Sequence, residues 1–226
     1  MAVNIPGISI NINIKSSTRL PVGRMGGVFE SQSSSLPMKA AILLTDGFEE
    51  MEAVAPIDVL RRAGVQVSVI AVGSDLVVTG RNGIVLKAEE LFKSGIFSTH
   101  QYDVIIVPGG PGHVALKDNS EVLKALKTQS EEQKWIAAIC AAPLVLQSAG
   151  LLDAQPAITG HTSIQHSLPW IQEQEAVVVD QGHRLITSRG AGTATSFALT
   201  IIEVLMSKEK SREVSQSMCC MPLSLS

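Results

Sequence analysis

The sequence predicts an α/β fold in which a doubly wound, mostly parallel sheet is flanked by helices. Two observations favour this class. Continuous apolar runs rich in valine and isoleucine recur along the chain, as is typical of parallel strands buried on both faces. Segments with the helical spacing of apolar residues separate these runs. In such folds ligands bind beyond the carboxyl ends of the strands, so the loops at those ends are where a site is expected.

Composition excludes several classes of protein. The chain has 226 residues, of which 45% are hydrophobic and 17% charged, which suffices for one well-packed domain. A net charge of -3 argues against nucleic acid as a partner, and no apolar run approaches the roughly 20 residues of a membrane span. The three cysteines, two of them adjacent at Cys219 and Cys220, suit neither a disulfide framework nor a zinc site. We therefore expect a soluble, cytoplasmic protein without metal or cofactor.

The first 37 residues differ in composition from the rest of the chain. They contain three basic residues against a single acid, Glu30, and they are rich in serine. Two interpretations stay open: a transit peptide that directs the protein to a plastid or mitochondrion, or a disordered extension. In either case we expect residues 38–226 to form the folded domain.

The predicted elements of the first half are apolar runs and a helical segment punctuated by glycine. Gly64 directly follows the first helical segment, as expected of a residue that ends a helix. Glycines at positions 80 and 83 indicate tight turns within a hairpin. In order, we expect a strand at 39–45, a helix at 50–63, a strand at 65–72, a hairpin at 76–86, a short helix at 91–97 and a strand at 104–107.

The second half continues the alternation of strands and helices. A helix with apolar positions at Val122, Leu123 and Leu126 precedes the apolar strand that ends before Cys140. The later strands are short and rich in β-branched residues. We expect a helix at 121–130, a strand at 135–139, a helix that ends at Gly150, strands at 156–159, 176–179 and 184–187, and helices at 193–206 and 208–216.

Cys140 lies between an apolar strand and an apolar helix, with small alanines on both sides of it. This pattern predicts a nucleophile elbow, a sharp strand-to-helix turn that presents a reactive side chain, here with cysteine as the nucleophile. A thiol at a helix N-terminus is expected to have a lowered pKa because the helix dipole stabilises the thiolate. The alternative is a small buried hydrophobic residue without chemistry.

Three further features follow predicted strand ends and could reach the same place. Four acids occupy residues 46–52, and one of them, turned inward beside the sulfur, would have a raised pKa and could carry a proton. Gly109 and Gly110 lack side chains, so their amides could bind an oxyanion. His161 could act as a base. Their ordinary alternatives are a solvated loop, a plain turn and an incidental histidine.

Taken together, four motifs in this order resemble the DJ-1/ThiJ/PfpI superfamily, and specifically its parkinsonism-associated protein deglycase branch. The resemblance covers nearly everything from Met38 onward, and it implies a flavodoxin-like or class I glutamine amidotransferase-like fold. The motifs are the stretches at residues 46–64, 102–110, 137–143 and 187–193.

The resemblance implies roles for individual residues. Cys140 would be the oxidisable nucleophile, Glu52 the protonated acid beside it, and His161 the nearby histidine. The oxyanion would be bound at Gly109, Gly110 and Ala141, the last of which directly follows the nucleophile. The resemblance further implies a homodimer, with two arginines near the dimer interface or the site, Arg61 and Arg189.

Two activities of related proteins are not expected. Proteases of the superfamily carry a histidine directly after the nucleophile, where this chain has Ala141. Glutamine amidotransferases need a His-x-Glu pair, and neither His161 nor His183 is followed by glutamate at the required position.

The function expected from these residues is that of a cofactor-independent glyoxalase. It would convert methylglyoxal and related small 2-oxoaldehydes to 2-hydroxy acids such as lactate, a hydro-lyase-class reaction, with possible deglycase activity and a role in oxidative and carbonyl stress. The alternative is a redox-sensing chaperone whose Cys140 is oxidised, with little turnover.

Overall fold

The structure is a computed structural model, which describes residues 37–93, 95 and 101–220. Its first half contains the strands β1 (Lys39–Leu44), β2 (Gln66–Ala71), β3 (Val77–Thr79), β4 (Val85–Lys87), β5 (Glu90–Leu91) and β6 (Val104–Val107) and the helix α1 (Glu50–Arg62). Its second half contains α2 (His113–Lys117), α3 (Ser120–Glu131), β7 (Trp135–Ile139), α4 (Pro143–Ser148), β8 (Val177–Asp180), β9 (Leu185–Ser188), α5 (Ala194–Leu205) and α6 (Lys208–Ser217). Two 3-10 turns, Thr162–Ile164 and Ala191–Thr193, complete it.

A seven-stranded sheet in the order β5-β2-β1-β6-β7-β9-β8 forms the centre of the domain. All neighbouring strands are parallel except β8 and β9. The antiparallel pair β3–β4 forms a separate hairpin. The predicted fold class, a mostly parallel sheet flanked by helices, is therefore confirmed.

Alternate residues of the buried strands face opposite layers of helices. In β1, Ile42 packs in the cluster that contains Phe197 of α5, whereas Leu43 packs in the cluster that contains Leu126 of α3. Side chains of a strand point alternately to its two faces, so a run that is apolar at every position is buried on both. This is why the continuous runs predicted parallel strands.

Two predicted elements differ from the structure. No strand forms at 156–159, because the amides of Ala157 and Thr159 donate to the side chains of Asp180 (2.9 Å) and Thr187 (2.8 Å) rather than to a backbone ladder. The helix expected at 91–97 is wrong at its start, where Leu91 ends the short strand β5 and residues 92 and 93 are not helical; residues 94, 96 and 97 lie outside the described residues.

The predicted extension, residues 1–37, lies almost wholly outside the described residues, so its boundary stays a prediction. The short helix α2 was not expected from the sequence. Within the part of the chain that the structure describes, no helix is long and apolar enough to cross a membrane.

Candidate active site

Cys140 occupies the turn between β7 and α4, as the sequence predicted. Its φ is +65°, in the left-handed region that side chains other than glycine rarely adopt, which costs about 1–3 kcal/mol where it occurs. Two backbone bonds hold this conformation. The Cys140 amide donates to the Ser188 carbonyl (2.9 Å), and the Cys140 carbonyl accepts from the His161 amide (2.9 Å). The thiol is thus presented by a strained turn pinned to its neighbours on both sides.

Glu52 approaches the thiol from the first turn of α1. Glu52 is 1% exposed. Its carboxylate accepts a hydrogen bond from the Gly109 amide (2.8 Å) and forms a second hydrogen bond with the Cys140 side chain. The side chain of Glu49 caps the helix by accepting from the Glu52 amide (2.8 Å). The cap sets where the helix begins and so directs Glu52 inward.

The other acids of this stretch serve different contacts. Asp46 accepts from the Thr79 amide (2.8 Å). Glu50 binds the turn of the hairpin, accepting from the backbone and side-chain amides of Asn82 (2.6 and 2.8 Å). Of the four acids, Glu52 is therefore the one that the structure places against the sulfur.

The pair of Cys140 and Glu52 holds a proton that each group could carry. Burial raises the pKa of Glu52 to about 7. Burial, with the neighbouring Glu52 carboxylate, raises the pKa of Cys140 to about 12. Two negative charges in contact are disfavoured in a buried site, so between about pH 7 and about pH 12 the pair carries one charge. A thiolate forms when Glu52 is protonated.

The expectation that the helix dipole would lower the Cys140 pKa is wrong, because burial raises it. What favours the thiolate is local: the amides of Gly110 and Ala141 both hydrogen-bond the sulfur. One amide, that of Gly109, hydrogen-bonds the Glu52 carboxylate. The two donors on the sulfur lower the pKa of the Cys140 thiol in opposition to burial, and a protonated Glu52 adds a third donor, so the thiolate forms when Glu52 holds its proton.

The predicted oxyanion site needs one correction. The amide of Gly109 is occupied by Glu52, so it is not free to bind an oxyanion. The amides of Gly110 and Ala141 remain, and both point at the sulfur. A side chain at Gly109 would collide with Glu52 and with Cys140 (2.7 and 2.8 Å from a Cβ), which explains the glycine there. His113 holds the loop by contacting the Gly110 carbonyl through its ring (2.8 Å).

His161 lies at the exposed edge of the site. Its ring nitrogen Nδ1 contacts the Ser163 hydroxyl (2.8 Å) and accepts from the Ser163 amide (3.2 Å). A Cβ built on Gly190 would lie 3.7 Å from both the His161 ring carbon Cδ2 and Glu52 Oε1 and 3.9 Å from Cys140 Sγ. The three predicted groups therefore converge around Gly190.

Gly190 itself was not predicted as a site residue, although it belongs to the stretch 187–193. Its position is fixed by Thr193, whose hydroxyl accepts from the Gly190 amide (3.2 Å) and contacts the Ser188 hydroxyl (2.7 Å). No pattern in the sequence separates this glycine from an ordinary turn residue, because its neighbours in space, Glu52, Cys140 and His161, come from three distant parts of the chain.

The two arginines have different positions. Arg61 is not adjacent to the site: it binds Glu89 (2.6 Å) and the Val67 carbonyl (2.8 Å), near the amino end of β2 and so at the opposite edge of the sheet. Arg189 precedes Gly190, but its guanidinium donates to the Glu173 carbonyl (3.1 Å). Arg81, not predicted, lies close enough to Glu52 to lower that carboxyl's pKa in opposition to burial, which is the largest effect.

Within the described ranges, no group of three or more His, Cys, Asp or Glu residues is placed to hold a metal ion.

Comparison with known proteins identifies relatives over this domain. The model of the DJ-1/PfpI family matches residues 38–204. Protein dj-1beta of Drosophila melanogaster is 38% identical over 183 residues, 79% of this chain and 95% of that protein. A Schizosaccharomyces pombe protein named glutathione-independent glyoxalase DJ-1 is 32% identical over 191 residues, 80% of this chain and 98% of that protein. Protein DJ-1 homolog B of Arabidopsis thaliana is 38% identical over 176 residues, 77% of this chain but 39% of that protein.

Solved structures agree with this assignment. The crystal structure of Drosophila melanogaster DJ-1beta superposes with a TM-score of 0.75 at 34% identity, covering 82% of this chain and 100% of that chain. The structure titled Toxoplasma gondii DJ-1, oxidized, superposes with a TM-score of 0.74 at 33% identity, covering 80% of this chain and 98% of that chain.

Proposed function

The chain belongs to the DJ-1/PfpI family, and from this membership and the Cys140 site we propose that it is a glutathione-independent glyoxalase. It converts methylglyoxal and related 2-oxoaldehydes to 2-hydroxy acids. The observation that carries the proposal is the buried pair of Cys140 and Glu52 with two backbone amides directed at the sulfur. The similarity to a protein named as such a glyoxalase supports it.

The first step uses the thiolate form of the pair. The Cys140 sulfur adds to the aldehyde carbon, and the carbonyl electron pair moves onto oxygen. The amides of Gly110 and Ala141, which already converge on the sulfur, are suited to donate to this oxygen. Glu52 gives its proton to the oxyanion, so the product of this step is a neutral hemithioacetal beside a carboxylate.

The second step moves a hydrogen between neighbouring carbons. The Glu52 carboxylate takes the proton from the carbon bonded to sulfur and returns it to the adjacent carbonyl carbon, while the hydroxyl proton of the first carbon passes to the oxygen of the second. The first carbon is thereby oxidised to a thioester while the second is reduced to an alcohol, so no external oxidant is needed. Water then cleaves the thioester, releasing the 2-hydroxy acid and restoring the thiol. His161, at the rim, is positioned to assist.

The test is lactate formation from methylglyoxal by the purified protein without glutathione. Wild-type protein should form lactate, whereas Cys140→Ala should not. Cys220→Ala is the matched control, since Cys220 is another partly buried free thiol and should be dispensable. Lactate production that survives in Cys140→Ala would exclude the mechanism. The same assay on glycated amines or thiols tests deglycase activity.

A second function uses the same thiol. A redox sensor or chaperone needs an oxidisable cysteine with a hydrogen-bonding acid beside it, and Cys140 with Glu52 meets that need. The similarity to an oxidised member of the family supports this candidate. A mass increase of two oxygens on Cys140 under mild peroxide, with negligible consumption of methylglyoxal, would favour the sensor over the enzyme.

We also propose that the protein forms a homodimer through exposed apolar residues of α1 and the β3–β4 hairpin. Met51 is 59% exposed and Val85 is 58% exposed, and Val54, Val77 and Ile84 are exposed as well. Large apolar side chains grouped on adjoining elements favour association, and a second copy would present the same group of residues.

Analytical ultracentrifugation tests this proposal. The wild type should sediment as a dimer, and Val85→Lys should shift it to a monomer. Val114→Lys is the control, because Val114 is also exposed but lies on α2. A monomeric wild type, or a dimer unaffected by Val85→Lys, would contradict the proposal.

The cytoplasmic location expected from the sequence is likewise a proposal, which a fluorescent fusion of the full chain tests.

A further inference from the structure

Glycines around the thiol fall into two groups according to what a side chain would meet. At Gly109 a Cβ would collide with Glu52 and Cys140, and at Gly110 it would collide with the backbone of Gly47 and Glu49. These positions require glycine because protein atoms fill the space. Gly190 is different: a Cβ there would meet its nearest atoms at 3.7–3.9 Å, which is ordinary van der Waals contact.

The backbone does not require glycine at this position either. Gly190 has φ 161° and ψ -167°, an extended conformation that any residue adopts. It is also held firmly, because its carbonyl accepts from the Thr193 hydroxyl (2.8 Å) and the Thr193 amide (2.8 Å). The loop therefore does not need a glycine at this position. Its hydrogen bonds to Thr193 also keep it from moving away from a new side chain, so a side chain at residue 190 would occupy the space beside the α-carbon.

The atoms that bound this space are those of the proposed reaction. They are Glu52 Oε1 and His161 Cδ2 at 3.7 Å and Cys140 Sγ at 3.9 Å from the position of a Cβ. A carbon that sulfur attacks must begin about 3–3.5 Å away and then close to bonding distance. The position 3.9 Å from the sulfur is too far for the attacked carbon. It suits the substituent on the neighbouring carbonyl carbon, which stays in van der Waals contact with the sulfur during the reaction.

We infer that Gly190 is a specificity-determining residue, whose missing side chain leaves room for the substituent of the 2-oxoaldehyde. This inference rests on the proposed function. In methylglyoxal the substituent is a methyl group, and in glyoxal it is a hydrogen. A methyl group placed at residue 190 would take the place of the substrate's methyl group and leave the aldehyde carbon free to reach Cys140.

The experiment compares kcat/KM for glyoxal and methylglyoxal in the wild type, Gly190→Ala and Gly192→Ala. Gly192 is the matched control, because it lies two residues away and a Cβ there meets nothing within 4 Å. Gly190→Ala should lower kcat/KM for methylglyoxal about 10- to 200-fold relative to glyoxal, the range for one misfitting methylene-sized group. Gly192→Ala should leave the ratio unchanged, and both variants should unfold at the wild-type temperature.

An unchanged ratio in Gly190→Ala, or an equal loss for both aldehydes, would overturn the inference. If the wild type consumes neither aldehyde, the proposed function fails and a readout independent of turnover tests Gly190. Cys140 is then alkylated with iodoacetamide and with the bulkier 2-iodopropanamide, and the modified peptide is followed by mass spectrometry. Gly190→Ala should slow the bulkier reagent selectively; equal slowing of both reagents would overturn the inference.

Discussion

Replacing Glu52 by leucine should raise the pKa of the Cys140 thiol above the value that the thiol has beside a protonated Glu52. In the wild type the carboxyl and the thiol form one buried pair. An ionised Glu52 raises the pKa of the thiol, whereas a protonated Glu52 donates a hydrogen bond to the thiolate, and the proposed reaction uses this second state. Leucine removes the proton donor but keeps the site buried, so the thiolate loses a partner while its desolvation remains.

The size of the effect follows from the lost hydrogen bond. A hydrogen bond to a charged group contributes roughly 1.5–3 kcal/mol, and a pKa difference of one unit corresponds to about 1.4 kcal/mol. The thiol pKa should therefore rise by about one to two units in Glu52→Leu. The thiol pKa should rise less in Glu52→Gln, because the glutamine amide still donates a hydrogen bond to the sulfur, although it cannot release a proton.

The assay is the ultraviolet absorbance of the thiolate as a function of pH, with Cys140→Ala as the baseline. Glu50→Gln is the matched control, because that carboxylate binds Asn82 of the hairpin rather than the sulfur. A Cys140 pKa that is unchanged or lower in Glu52→Leu would refute the reasoning. The charge would then reside on the Glu52 carboxylate in the wild type, and thiolate formation would be suppressed by it.

Three other outcomes are expected. The raised Glu52 pKa of about 7, against 4.5 in an exposed carboxyl, means that the folded state holds this proton more tightly than the unfolded state. Stability should therefore fall by about 3 kcal/mol as pH rises through this interval, and urea unfolding should show no such fall in Glu52→Gln. Glu50→Ala should cost about 1–3 kcal/mol and lower the hydrogen-exchange protection of the Asn82 and Ile84 amides, which its carboxylate accepts from; unaltered protection would show that the hairpin turn does not depend on this contact. A chain that starts at Met38 should fold and turn over methylglyoxal like the full chain, and loss of either property would mean that the preceding residues belong to the domain.

Most strands of the sheet, its flanking helices and the position of the nucleophile follow from local patterns in the sequence. Continuous apolar runs leave no polar face, so they predict strands covered on both sides, and β1 and β6 follow that pattern. The turn at Cys140 was also predictable, because a strand, small residues and a helix adjoin directly in the chain. These features depend on local order along the sequence.

Segments that are distant in the chain share their hydrogen-bond donors and acceptors in ways that the sequence patterns did not predict. The amide of Gly109 donates to Glu52, 57 residues away, so a predicted oxyanion donor became a support for the acid. The amide of Thr159 found a side chain, that of Thr187, and no strand formed there. Gly190 gained its place beside three reactive groups in the same way. The partner of a hydrogen-bond donor, and whether a space stays open, depend on the segments that pack there in the folded chain. The periodicity of the sequence contains no information about these distant contacts.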